Sequence, residues 1–307
     1  MRAITYDQYG DPDNLTLSDV PGPKVGPAEV LIRVRSASVN PVDWKVAAGG
    51  LDPLMNITFP AIPGWDVAGV VERVGLDTPE FQPGDEVIAY ARKDWVHGGT
   101  FAELVTVPVR AVARKPKALD WNQAAGLPLA GLSAYQLLSR LGLAKGETVL
   151  VHAAAGGVGS LAVQIAKATG ARVIGTASEA NHDALRELGA EPVAYGEGLP
   201  ERVRELAPDG VDVVVDFVGG VLDDTLAVLK EGGRHGSIVE GEVAEKGGLY
   251  AWVRPNAADL QALADLADQG LLTVPVTEVF PLEKTAEAFR VSQGGHVRGK
   301  IAIEVSS

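Results

Sequence analysis

The chain has 307 residues, 46% of them hydrophobic, with 40 acidic and 27 basic side chains, a net charge of −13 and no cysteine. Such a length holds two domains with ample core, the hydrophobic share argues against disorder, and the acidic surface argues against nucleic acid or anionic membrane as partners. The missing cysteines exclude disulfides, thiolate nucleophiles and thiolate metal ligands, and no apolar run reaches the length of a membrane span.

The start, "MRAITYDQYG", has no signal-type apolar stretch, so a cytoplasmic protein is expected. Residues 1 to about 115 carry short strand signals separated by Pro and Gly clusters. "EVLIRVRSA" alternates, with Val30, Ile32 and Val34 on one side, and "DVAGVVERVG", "GDEVIAY" and "TFAELVTV" follow the same pattern. The texture changes near "PKALDWNQAAGLPLAGLSAYQLL", after which strands and helices alternate. "ETVLVHA" reads as a buried strand, and Val158, Leu161, Ala162, Ile165 and Ala166 recur at helical spacing. "ARVIGT", "HDALRELGA", "VDVVVDFVGG" and "GGRHGSIVE" continue the alternation, which predicts a doubly wound parallel sheet. The tail from about 272 returns to strand, helix and strand, and is expected to complete the first domain. The five histidines, His97, His152, His182, His235 and His296, show no paired helical metal spacing.

Between the strand "ETVLVHA" and its helix lies "HAAAGGVGS". Ala154, Gly156 and Gly159 take the three positions of a dinucleotide-binding turn. Glycine at 156 permits close approach of a pyrophosphate, and the helix start offers free N–H groups and a positive dipole end. The alternative is a small-residue turn in a tightly packed α/β protein. The second strand ends "GTAS", where Thr176, Ala177 and Ser178 supply no acidic partner for a ribose, and Glu179 falls in the following turn. Uncharged residues there leave room for a 2′-phosphate, with Ser178 and Asn181 as donors, so NADPH is expected over NADH. Ser178 as an ordinary helix cap is the plainer reading.

The ordered series "VNPVDWK" (39–45), "PGWDVAGVVERVG" (63–75), "GDEV" (84–87), "GGTFAE" (98–103), "LPLAGLSAYQ" (127–136), "AAAGGVGSLAVQ" (153–164) and "GHVRGKI" (295–301) resembles the zinc-independent, zeta-crystallin-like quinone oxidoreductase branch of the medium-chain dehydrogenase/reductases. The resemblance implies a mainly β, GroES-like catalytic domain (1–115 and 272–307) and a Rossmann nucleotide-binding domain (116–271). It implies NADPH-dependent reduction of quinones or α,β-unsaturated carbonyl compounds without a metal; "GWD" at 64–66 stands where zinc-dependent relatives keep a ligand histidine. It assigns Asn40, Asp43 and Lys45 to the nicotinamide end as catalytic residues. Ser133, Gly156, Gly157, Val158, Thr176, Ser178, Asn181, Tyr195, Val218, Gly219, Ile238, Val239, Arg298 and Lys300 are its cofactor-binding residues. A homodimer is the family expectation. Substrate selection falls to the loop 48–63. The competing readings are an alcohol or aldehyde dehydrogenase on the same fold, and a nucleotide-binding protein with little catalysis. Asn40 as a turn cap, and Trp44, Trp65 and His152 as packing residues, are the plainer readings of those side chains.

Overall fold

The structure is a computed structural model describing residues 1–295 and 297–306; His296 lies outside the described residues. The chain divides into two compact units, one made of Met1–Leu129, Pro255–Asp268 and Val274 onward, the other of Ala130–Arg254 and Gln269–Thr273.

The first unit is built on the long strand Glu29–Val39. Val30, Ile32 and Val34 are fully buried, as the alternation predicts, while Arg33 is exposed. This strand pairs antiparallel with Asp66–Val74, with Leu104–Pro108 and with the tail strand Lys300–Glu304. The sheet continues through Glu86–Tyr90 to Val112–Arg114 on one side, and to Val276–Pro281 on the other. Burial of Phe101 and Phe289, edge to face at 5.8 Å, joins the tail helix Thr285–Gln293 to this core. The helix Ala257–Asp268, which the sequence reading places within 116–271, packs here instead. The Arg114 N–H donates to Gln261 Oε1 at 3.1 Å, and the Ala118 N–H to Asp268 Oδ1 at 2.9 Å.

The second unit carries a six-stranded parallel sheet. Its order is Glu191–Ala194, Arg172–Ala177, Thr148–Val151, Val211–Asp216, Leu229–Ser237, Leu249–Tyr250. The order reverses at Thr148–Val151, whose two neighbours, Arg172–Ala177 and Val211–Asp216, both follow it in the chain and lie on opposite sides of it. This is the switch point where such sheets bind ligands beyond the carboxyl ends of their strands. Val149, Leu150, Val151, Val213, Val214 and Val215 are all fully buried, which fits continuous apolar runs covered on both faces. The helix Gly159–Thr169 is buried along most of its length, and even Gln164 is turned inward, bonding both the carbonyl and the N–H of Thr273 at 2.9 and 2.8 Å. Among the described residues no helix is long and apolar enough to cross a membrane.

Candidate functional site

In the second unit the glycine turn sits at the carboxyl end of Thr148–Val151. Ala153 takes a left-handed φ of +52°, and Thr176 holds the turn from behind. The Thr176 hydroxyl accepts the Ala153 N–H at 3.0 Å, and its carbonyl accepts the Ala154 N–H at 2.9 Å. Thr176 is thereby buried and already engaged, so its part in the site is to fix the turn's shape. A Cβ on Gly159 would fall far inside van der Waals contact of the Ala153 carbonyl, which is why the third glycine is required for close packing. Ala154 stands where the first glycine is usual, and the room for its methyl comes from Gly175, where a Cβ would lie 2.7 Å from it. Among the described residues the N–H groups of Gly157 and Val158 find no acceptor, and both residues are partly exposed at the head of an 11-residue helix. That is a cradle for an anion, and it fits a pyrophosphate.

The remaining cofactor candidates of this unit gather at the same end of the same sheet. Ala177 is in register with Ala194, so Ser178 and Tyr195 leave adjacent strands side by side. Asn181 donates to Ser178 Oγ at 3.1 Å, and Tyr195 is 62% exposed. Glu179, the carboxylate next to Ser178 in the chain, is exposed. On the other side of the switch point Asp216 pairs with Ser237 in register. Its Oδ1 accepts the N–H groups of Val218 and Gly219 at 2.8 and 2.9 Å, and its Oδ2 accepts from Ser237 Oγ at 2.6 Å. Ser237 Oγ in turn accepts the Val239 N–H at 3.0 Å, so Val218, Gly219, Ile238 and Val239 form two strand-end loops tied to one buried carboxylate. Ser133 is buried within the helix Pro128–Arg140. His152 is buried, bonded to Thr225 Oγ1 at 3.2 Å and pushed down to about 4 by burial, so it is a neutral packing residue.

In the first unit the structure brings together Asn40, Asp43, Asp66 and Lys300, all at most 4% exposed. Asn40 caps the helix Pro41–Ala47, its N–H donating to Asp43 Oδ2 at 2.7 Å. Its Nδ2 donates to Asp66 Oδ2 at 2.8 Å, and its Oδ1 accepts from Lys300 Nζ. Asp66 also accepts from Ser38 Oγ at 3.0 Å and from the Leu129 N–H at 2.8 Å, with Lys300 Nζ 3.9 Å away. Burial pushes the Asp43 carboxyl up to about 8, with the charge of Asp66 adding to the shift and Lys300 opposing it. Burial likewise raises Asp66 and lowers Lys300, each resisted by the other's charge. Among the described residues Asp43 Oδ1 and the hydroxyls of Tyr6 and Tyr90 are buried without a partner, and burial raises both tyrosines.

Lys45 does not join this cluster. It is exposed, with Nζ 5.4 Å from the Trp44 ring centre. Lys300, expected beside the cofactor, is here the buried counter-charge of Asp66 and the anchor of Asn40, while Arg298 is exposed. Trp65 is buried edge to face against Tyr90. Sequence reasoning passed over Asp66 and Ser38 as site residues. The available signal was an acidic residue opening an otherwise apolar strand, "DVAGVV", but nothing local says which charge will meet it.

Two families of sequence match this chain. The alcohol dehydrogenase GroES-like domain matches residues 26–117, and the zinc-binding dehydrogenase domain residues 188–303. The chain is 36% identical to the NADPH-dependent alkenal/one oxidoreductase, chloroplastic, of Arabidopsis thaliana, covering 99% of this chain and 79% of that protein. Among solved structures it resembles the quinone oxidoreductase from Coxiella burnetii, with a TM-score of 0.87 and 35% identity over 100% of this chain and 99% of the other. It also resembles an NAD-dependent alcohol dehydrogenase, with a TM-score of 0.89 and 34% identity over the whole of both chains.

Proposed function

From the chain's membership of the zinc-independent quinone and enone oxidoreductases of the medium-chain dehydrogenase/reductase superfamily, we propose that it reduces quinones or α,β-unsaturated carbonyl compounds with NADPH. It is an NAD(P)-dependent oxidoreductase; the substrate class and the choice of NADPH are the proposal. The observation that carries it is the cradle of unpartnered Gly157 and Val158 N–H groups at a helix head, beside strand ends free of an acidic ribose partner.

The second unit is assigned to the nucleotide and the first to the substrate, with bounds that differ from the expected 116–271 and 1–115 with 272–307: residues 116–129 and the helix Ala257–Asp268 belong to the first unit. Gly156, Gly157 and Val158 would hold the pyrophosphate. Ser178, Asn181 and Tyr195 would surround the 2′-phosphate. The strand-end loops of Val218, Gly219, Ile238 and Val239, with Ser133, would flank the nicotinamide half. The bound cofactor supplies hydride. For its part the protein orients a flat conjugated carbonyl compound and meets the negative charge that develops on its oxygen. Asn40 is suited to that task. Lys300 and Asp66 fix the plane of its amide, and among the described residues its second Nδ2 hydrogen has only the Ser38 carbonyl, at a long 3.5 Å. Asp43 fixes the helix start behind it; Lys45 and Arg298 would act from the exposed rim.

The test is NADPH oxidation across a panel of quinones and enones, with saturated alcohols as the contrast. Turnover of the panel that survives exhaustive chelation is expected, and Asn40→Ala should lower kcat/KM by more than it weakens NADPH binding. Turnover of saturated alcohols alone would favour the dehydrogenase reading, and no turnover at all a binding protein. A homodimer belongs to the same proposal, supported by the short edge strand Leu249–Tyr250 with Tyr250 and Trp252 exposed beside it. Light scattering over a wide concentration range decides that point.

A further inference from the structure

The first unit contains a cavity of about 800 Å³ in which none of Asn40, Asp43, Asp66 and Lys300 takes part. Its walls include Val20, Pro60, Ile62 and Leu104, with Trp95 at the margin, 54% exposed and fixed by donation from its Nε1 to Thr58 Oγ1 at 2.7 Å. The volume lies in the range of small-molecule sites, and the lining is chiefly apolar.

One polar group in this lining lacks its complement. The ammonium of Lys93 donates to the Thr106 hydroxyl at 3.2 Å, and among the described residues no carboxylate lies within ion-pair distance of it. Burial holds Lys93 below the ordinary lysine range, and the more distant charge of Glu29 only partly offsets this. A half-buried ammonium without a counter-ion is a standing cost in a protein whose net charge is −13 and which has many carboxylates to offer elsewhere. Lys24 also faces the cavity. The one acidic residue there, Asp94, is turned to solvent and sits 3.6 Å from Arg92 instead.

We propose that this cavity is a binding site for an apolar molecule ending in a single carboxylate, the carboxylate pairing with Lys93 and the tail lying along Val20, Pro60, Ile62 and Leu104. A carboxylate would accept from Nζ alongside Thr106, and Lys24 would add attraction at the mouth. The hydrocarbon would displace water from walls that offer it few hydrogen bonds. The assignment uses none of the residues given a catalytic or cofactor role, but Pro60 and Ile62 belong to the loop 48–63 expected to select substrate, so displacement by a reducible enone is the arm of the experiment that separates the two readings.

The experiment is calorimetric titration of the full chain with decanoate and with decanol. Decanoate is expected to bind one to one, at least roughly tenfold more tightly than decanol, the difference one charge-assisted hydrogen bond provides. Lys93→Met should abolish that preference, while Lys93→Arg, which keeps the charge, should retain it and serves as the check should the methionine variant unfold. Tryptophan fluorescence should change on binding in the parent chain and not in Trp95→Phe. Equal affinity for the two probes, or an undiminished preference in Lys93→Met, would overturn the assignment. So would absence of decanoate binding, or displacement of decanoate by NADPH or by a reducible enone. Reductase activity in the parent chain is measured separately, so loss of one reading leaves the other standing.

Discussion

In the first unit the candidate site is four side chains, two carboxylates, an ammonium and an amide, buried and holding one another. In the second unit the candidate site is a turn of alanine, glycine and valine whose chemistry lies in its main-chain N–H groups. The two respond to damage in opposite ways. A cluster of buried charges fails when a group is removed, because the partner left behind has no water to turn to. A backbone cradle has nothing to remove and fails when a group is added, because the space that lets a phosphate approach is the space a Cβ would fill.

The largest effect that separates them is expected from Lys300→Met. Asp66 would keep its bonds to Ser38, Asn40 and Leu129 but lose the one close cation it has among the described residues, at a cost of about 3–5 kcal/mol in urea unfolding. A loss under about 1 kcal/mol would mean that charge does not hold the cluster together. Next is Gly159→Ala, whose new methyl meets the Ala153 carbonyl. It should cost about 1–3 kcal/mol of stability and weaken NADPH at least roughly tenfold by calorimetry. Gly156→Ala, where the same carbonyl is 3.3 Å from the added carbon, should be milder in stability. Equal stability losses at the two glycines would break the picture of a turn gripped at one point.

The two units should also oppose each other in pH. Asp43, raised to about 8, is favoured in its protonated form by the fold. The native state therefore binds more protons than the unfolded chain between about 4 and 8, and stability drains as pH rises through that window. His152, lowered to about 4, is favoured neutral, so its contribution is complete above 6.5 and is lost as pH falls toward 4. Asp43→Asn should accordingly gain on the parent chain between pH 6 and 9 in unfolding midpoints, and parallel curves for the two would show that Asp43 does not titrate in this range. The smallest effect is at the strand ends. Asn181→Ala and Tyr195→Ala should each cost NADPH a few-fold in affinity, about 0.5–1.5 kcal/mol, and leave NADH unchanged. Equal losses for both cofactors would remove these residues from the 2′-phosphate.

The parallel sheet, its helices and the glycine turn were legible in the chain itself. Each is written in local periods, such as "TVLV" followed by Leu161, Ala162, Ile165 and Ala166, and in glycines whose spacing reflects a local backbone requirement. The strand alternation around Val30, Ile32 and Val34 was equally plain. What only the tertiary structure decided was the company of the charged residues. Lys300 and Asn40 are 260 residues apart and meet because the tail strand adds to Glu29–Val39 in register, Ile301 opposite Val39. Asp66 reaches them from the strand on the other side, opposite Ser38. Helix Ala257–Asp268 likewise joined the first unit through side-chain bonds to Arg114 and Ala118, which no period in the sequence encodes. Local patterns are set by the backbone's own geometry within a few residues. The pairing of buried charges is set by which strands become neighbours, and that is a property of the whole fold.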